Sequence, residues 1–183
     1  MAHVLVPLAD GCEELEAVTI IDLLRRAGIN VTTASLKQGP IKASRGVVLV
    51  ADMTLDEALQ QDYDMVVLPG GLPGADYLDQ DPRLRELLKT MADSGKFTAA
   101  ICAAPKALAN AGVLDGKRAT SYPGVLSAMK LPNTEVEEIP VLQDGKVITS
   151  RGPGTAMDFA LTLIENLQGP DKRIEVEAGL VRP

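Results

Sequence analysis

Two thiols, three neighbouring carboxyls and a pair of glycines are the groups in this chain from which chemistry can be built. Cys102 is the best placed of them. The run Phe97-Thr98-Ala99-Ala100-Ile101 is short, apolar and uncharged, which predicts a central strand of a parallel sheet. Ala103 to Ala109 follows at once and predicts a helix, with Pro105 in its first turn where a missing N–H does no harm. A thiol between them projects from the carboxyl end of the sheet. It also meets the N-terminus of a helix, which favours thiolate over thiol. The competing reading is a buried structural cysteine. The small residues Ala99, Ala100, Ala103 and Ala104 suit a cramped turn and favour a nucleophile.

Pro69-Gly70-Gly71-Leu72-Pro73-Gly74 leaves another apolar run, Val66-Val67-Leu68. Its glycines let the backbone approach a ligand closely. An N–H exposed here, together with that of Ala103, is suited to holding an oxyanion. An ordinary tight loop has the same composition. A phosphate loop does not, because both G-x-G-x-x-G and a G-K-[ST] ending are absent. Glu13, Glu14 and Glu16 open the first predicted helix. Acidic residues there complement the helix dipole. A partly buried carboxyl beside Cys102 would instead keep its proton, donate a hydrogen bond to the thiolate and pass the proton to substrate. Spacing does not choose among the three.

Ser150 to Thr155 reads equally as an anion site at a helix start or as a tight turn capped by Thr155. Cys12 borders the first loop and is a candidate resolving thiol for Cys102. The single histidine, His3, begins the first strand, away from the carboxyl ends, so a papain-type Cys–His dyad has no partner here. Peptide hydrolysis needs a proton for its amine leaving group and is disfavoured. Addition to an aldehyde needs only a thiolate and a place for the oxyanion.

These groups need a scaffold, and the pattern supplies strands alternating with helices. Strands are expected at His3–Leu8, Asn30–Leu36, Asp64–Leu68 and Phe97–Ile101, with shorter runs at Val47–Val50 and Ala119–Tyr122. Helices are expected at Glu13–Ala27, Leu55–Gln60, Leu84–Ala92 and Thr155–Leu167, with one more in the tail from Asp171 to Gly179. Glu135–Leu142 and Lys146–Ser150 read as a hairpin through Asp144-Gly145. The alternation predicts a parallel α/β sheet covered on both faces, with ligands at the carboxyl ends of the strands.

The chain has 183 residues, enough for one domain, 1–183, with a sizeable core. Apolar residues make up 46% of it, which predicts a packed globule. A net charge of −7 with scattered Lys and Arg excludes a basic nucleic-acid face. Two cysteines make no disulfide framework, and one histidine gives no metal-ligand spacing. The absence of a signal-like N-terminus and of any run near about 20 apolar residues predicts a cytoplasmic protein without a membrane span.

At Asp10 to Glu16, Arg25 to Gly28, Val67 to Gly71, Ala99 to Ala103 and Thr149 to Thr155 the sequence resembles the ThiJ/PfpI superfamily. Within it, the likeness is to the branch containing the parkinsonism-associated protein deglycase. It covers nearly the whole chain. The resemblance implies a flavodoxin-like three-layer sandwich, a single class I glutamine-amidotransferase-like domain, and a homodimer. It assigns the reactive cysteine to Cys102, its partner carboxyl to Glu16, and the oxyanion N–H groups to Gly71 and Ala103. Gly70, Arg45 and Arg151 match positions at or near the substrate pocket. It implies cofactor-free deglycase and glutathione-independent glyoxalase activity on methylglyoxal, glyoxal and their early adducts with proteins or nucleotides. A cysteine-oxidation redox sensor or chaperone is the alternative, and an amidase or peptidase the weakest one. Tyr122 stands where some members carry a histidine beside the cysteine. A phenol orients a substrate oxygen but is a poor base near neutral pH.

Overall fold

The computed structural model describes all 183 residues. The first half of the chain runs β1 (His3–Leu8), α1 (Glu14–Arg26), β2 (Asn30–Ser35), β3 (Ile41–Lys42), β4 (Val48–Leu49), β5 (Met53–Thr54), α2 (Leu55–Ala58) and β6 (Met65–Leu68). It continues with α3 (Gly74–Gln80), α4 (Pro82–Asp93), β7 (Phe97–Ile101), α5 (Pro105–Asn110), β8 (Arg118–Ala119) and β9 (Glu135–Val136). The last part holds β10 (Val141–Asp144), β11 (Val147–Ser150), α6 (Ala156–Gln168) and α7 (Pro170–Gly179). No helix is long and apolar enough to cross a membrane.

Seven strands form the main sheet in the order β10-β11-β7-β6-β1-β2-β5. All its pairings are parallel except β10 with β11, the expected hairpin. Side chains alternate across each strand, so the sheet buries both faces. Val4, Val6 and Leu8 pack with Ile20, Leu24 and Phe159 on one side. Leu5 packs with Leu68, Leu78, Leu88 and Leu108 on the other. The helix starts follow local chemistry. Asp81 accepts the Arg83 N–H at 2.9 Å and Pro82 fills the first turn of α4.

Two expected elements came out differently, and one helix, α3, was not expected. The run Ala119–Tyr122 yields only the short β8, which leaves the main sheet and pairs in parallel with β9. The Tyr122 N–H is instead taken by the Cys102 carbonyl at 2.8 Å. The expected strand Glu135–Leu142 is broken into β9 and β10 ahead of Pro140, which has no N–H to offer a ladder. Helix α3 had no clear apolar period to reveal it, since it buries only Gly74, Ala75 and Leu78.

The connection order places the site. From β1 the chain winds outward through β2 to β5, and from β6 it winds the other way through β7 to β11. The strand order therefore reverses between β1 and β6. In open α/β sheets, the crevice outside the carboxyl ends at such a point receives ligands. The loops after β1 and β6, and the turn after β7, all open there.

Candidate active site

Cys102 follows the last residue of β7 with φ 65°, left-handed backbone that a non-glycine residue adopts only where the surroundings impose it. Two hydrogen bonds impose it here. The Cys102 N–H donates to the Ser150 carbonyl of β11 at 3.0 Å, and the Cys102 carbonyl accepts from Tyr122. The chain then turns through Ala103 and Ala104 before α5 begins at Pro105, two residues later than the predicted helix start. Cys102 as a whole is 8% exposed, and it lines a cavity.

That cavity has a volume of about 310 Å³. Gly71, Cys102, Ala103, Arg45 and Tyr122 line it, joined by Glu13, Ser44, Leu72, Val125 and Pro153. Gly70 and Glu16 stand behind the sulfur rather than in the lining. Arg151 is outside the lining too. It is half-buried, and its N–H donates to the Pro140 carbonyl at 3.2 Å. Tyr122 is half exposed at the rim. Cys12 and Cys102 are both free thiols, and Cys12 is wholly buried. Burial and the carboxylates of Glu14, Glu13 and Asp10 push the Cys12 thiol up to about 11. No three His, Cys, Asp or Glu side chains gather closely enough to hold a metal ion.

The structure separates the three carboxyls that spacing left open. Glu13 caps α1, weakly accepting the Leu15 N–H at 3.3 Å, and borders the cavity. Glu14 holds the 44–47 loop, accepting the N–H groups of Arg45 at 3.0 Å and Val47 at 3.2 Å and the Ser44 hydroxyl at 3.1 Å. Burial alone would raise its pKa, but these donors and its own N–H outweigh that and hold it below the usual carboxylate range. Glu16 is fully buried. Its Oε1 accepts the Gly70 N–H at 3.0 Å, while Oε2 has no hydrogen-bond partner, and the carboxyl lies close enough to Cys102 for each to shift the other's proton affinity. Nothing in the sequence signalled the Glu14 clamp, whose partners lie about thirty residues downstream.

The electrostatics revise one expectation. Burial foremost, then the charge of Glu16, push the Cys102 thiol up to about 12, against the pull of the Gly71 and Ala103 N–H groups. A short helix that starts beyond the cysteine does not offset desolvation. Burial likewise lifts Glu16 to about 7, against its hydrogen bonds with Cys102 and Gly70. Two adjacent buried anions are unfavourable, so the pair carries at most one negative charge near neutral pH. That charge rests on Glu16 and Cys102 rests as a thiol; when the thiol ionises, Glu16 must hold the proton, and it then donates to sulfur instead of repelling it.

The same shift makes a stability prediction. An unfolded Glu16 releases its proton near pH 4.5 and the folded one near 7, so the folded state holds the extra proton between those values. The stabilisation is complete below about pH 4.5 and is lost as pH rises through 7. It amounts to about 3 kcal/mol for a shift of this size. Urea denaturation at pH 5 and pH 8 should show Glu16→Gln losing about that much less stability over the interval than the unsubstituted protein. Identical slopes for the two would mean that Glu16 is ionised throughout.

A seven-stranded, doubly wound sheet with a strained cysteine and a buried carboxyl at its switch point defines a flavodoxin-like cysteine protein. The DJ-1/PfpI family model matches residues 2–166, and the chain belongs to that family. It is 47% identical over 176 residues to Protein DJ-1 homolog B of Arabidopsis thaliana, which covers 95% of this chain and 40% of that protein. It is 37% identical over 171 residues to Glutathione-independent glyoxalase DJR-1.2 of Caenorhabditis elegans, covering 93% of this chain and 90% of that one. The crystal structure of Drosophila melanogaster DJ-1beta superposes with a TM-score of 0.95 at 43% identity, covering 100% of this chain and 98% of that one. The chain therefore spans less than half of the plant relative and nearly all of the other two.

Proposed function

We propose that the protein is a cysteine-dependent glyoxalase and deglycase that needs no glutathione. It converts methylglyoxal or glyoxal to lactate or glycolate, and it releases early adducts of these aldehydes from proteins or nucleotides. One observation carries the reading: Cys102 lines one cavity with Gly71 and Ala103, whose N–H groups favour its thiolate, and the fully buried Glu16 stands behind it across Gly70. The glyoxalase named among the relatives supports the same chemistry.

The Cys102 thiolate adds to the aldehyde carbon, forming a C–S bond and an alkoxide, which the Gly71 and Ala103 N–H groups hold. The proton on Glu16 neutralises that alkoxide to a hemithioacetal. Glu16, now ionised, takes the proton from the former aldehyde carbon and returns it to the adjacent carbon through an enediol. The first carbon is oxidised and the second reduced, so no outside oxidant or reductant is needed. Water cleaves the resulting thioester, releasing a 2-hydroxy acid and restoring the thiol. With an early adduct, the thiolate displaces the amine or thiol at the same carbon while Glu16 gives its proton to the leaving group, and the sequence joins at the hemithioacetal with Glu16 ionised. Tyr122 and Arg45 orient the substrate oxygens from the rim.

The test is nuclear magnetic resonance of carbon-13 methylglyoxal without glutathione. Lactate should appear, with solvent hydrogen at its second carbon wherever Glu16 exchanges its proton. Lysine should also be released from a preformed adduct when free aldehyde is trapped by another amine. Aldehyde consumed without lactate would remove the glyoxalase reading. Lysine release no faster than spontaneous reversal would remove the deglycase reading.

The homodimer belongs to the same proposal. Leu15 and Val18 on α1 and Val47 and Val48 at β4 are exposed apolar side chains, and the Glu14 clamp draws these two segments together. An apolar face of this kind calls for a partner. Sedimentation velocity should give twice the mass of the chain.

A further inference from the structure

A second cavity, of about 340 Å³, opens at the carboxyl ends of β1 and β2, apart from the cysteine site. Leu8, Leu36, Ile41 and Tyr77 give it an apolar body, and Asp10 and Lys37 stand at its edge. None of its lining residues lines the Cys102 cavity. From Ala9 to Glu13, one loop separates the two, with Ala9 and Asp10 on one side and Glu13 on the other.

Three features mark it as more than a surface dent. Ser35 lines it while only 4% exposed, and its hydroxyl makes no hydrogen bond within the protein. A polar group on a buried wall without a protein partner calls for one from the cavity. Tyr77 is 46% exposed although it lines the cavity. Asp10 and Lys37 form an ion pair at 2.5 Å. Asp10 is tied to the chain only by the Lys42 N–H at 3.0 Å, and Lys37 makes no other ion pair. The other lining carboxylate, Asp81, is already engaged by Arg83 at 2.6 Å and by the first turn of α4. It offers the ligand little.

We infer that this cavity binds a small zwitterion with an apolar side chain, a free apolar α-amino acid. Its ammonium would meet Asp10 and its carboxylate Lys37, so the ligand replaces one ion pair with two. The side chain would lie against Leu8, Leu36, Ile41 and the Tyr77 ring, and the Ser35 hydroxyl would complete the hydrogen bonding. A simple anion is disfavoured by the two carboxylates, and a simple cation by Lys37. The inference does not depend on the proposed glyoxalase chemistry.

Proton–nitrogen spectra of the full chain, titrated with leucine, test it. The amides of Leu36, Lys37 and Tyr77 should shift saturably with a Kd of roughly 1 mM or lower, the range open to a ligand of this size. N-acetyl-leucine, leucine amide and alanine, each missing one feature, should bind at least about tenfold more weakly. Lys37→Gln, at an exposed position, should weaken leucine by about tenfold as well while leaving lactate formation unchanged. Tyr77→Ala should do the same through lost contact area. No saturable shift with up to 10-fold the expected Kd, or equal binding of leucine and its amide, would overturn the inference. So would leucine affinity unaffected by both variants.

Discussion

Lactate formation from methylglyoxal should vanish in Cys102→Ser, falling by about a thousandfold or more toward the uncatalysed rate. A serine hydroxyl fits the same turn but holds its proton far more tightly than a thiol. The only acid–base group behind it is Glu16, whose pKa of about 7 leaves it too weak to remove that proton. The Gly71 and Ala103 N–H groups would remain in place with no anion to receive. Cys12→Ala is the matching control and should keep most of the activity. Cys12 is wholly buried, lies outside the cavity lining and has its thiol pushed up to about 11. Measuring lactate by chromatography for both variants decides which sulfur reacts. Undiminished lactate from Cys102→Ser would end the proposed mechanism.

Gly70→Ala should be nearly as damaging, although the residue carries no reactive group. A Cβ at this position would stand 2.6 Å from the Cys102 Cβ, and 2.8 Å from both the Glu16 Oε1 and the Ile101 carbonyl oxygen. Two of these neighbours belong to β7 and its strained end, and the third is a buried carboxyl bound to the Gly70 N–H. None has free space to retreat into. Overpacking of this sort costs about 3 kcal/mol. For a domain of this size the midpoint of thermal unfolding should fall by roughly 6–12 °C. The thiol and the carboxyl must also move apart, and a displacement near 1 Å costs about a hundredfold in rate. Gly154→Ala, where an added Cβ meets nothing within 4 Å, should change neither quantity. A Gly70→Ala protein with normal melting and normal turnover would show that Glu16 and Cys102 need no fixed separation.

Much of this arrangement was legible in the residues. The strand–helix alternation gave the sheet class because apolar runs and amphipathic periods are local properties. The strand before Cys102 was found within its limits, and so was the hairpin at Asp144-Gly145, with Gly145 at φ 61°. Helix α1 was found to within a residue at each end, stopped by Gly28 at φ 74°. The errors fell where local preference was weak or tertiary pairing won. Helix α3 has a narrow apolar face. The Tyr122 segment was peeled off the expected strand because the carbonyl of a strained cysteine needed its N–H.

The chemistry divides along the same line. The spacing of Glu13, Glu14 and Glu16 put three carboxyls near one strand end but could not rank them, since a helical turn points successive side chains about 100° apart and only packing tells which way is inward. The helix-dipole argument for a lowered thiol pKa was sound locally. It was reversed by burial and by a neighbouring carboxyl, both of which are distances through space.

Taken alone, the sequence determined the α/β class, the place of Cys102 at the end of a buried strand and the absence of a histidine partner. These follow from residue type and short-range order. Tertiary structure decided that Glu16 is the carboxyl behind the sulfur, that burial raises the proton affinity of both, that Gly70 must lack a side chain and that Arg151 stands outside the cavity lining. Each of those depends on segments distant in the chain meeting at the point where strand order reverses, and the energies concerned, desolvation and steric contact, exist only once they have met.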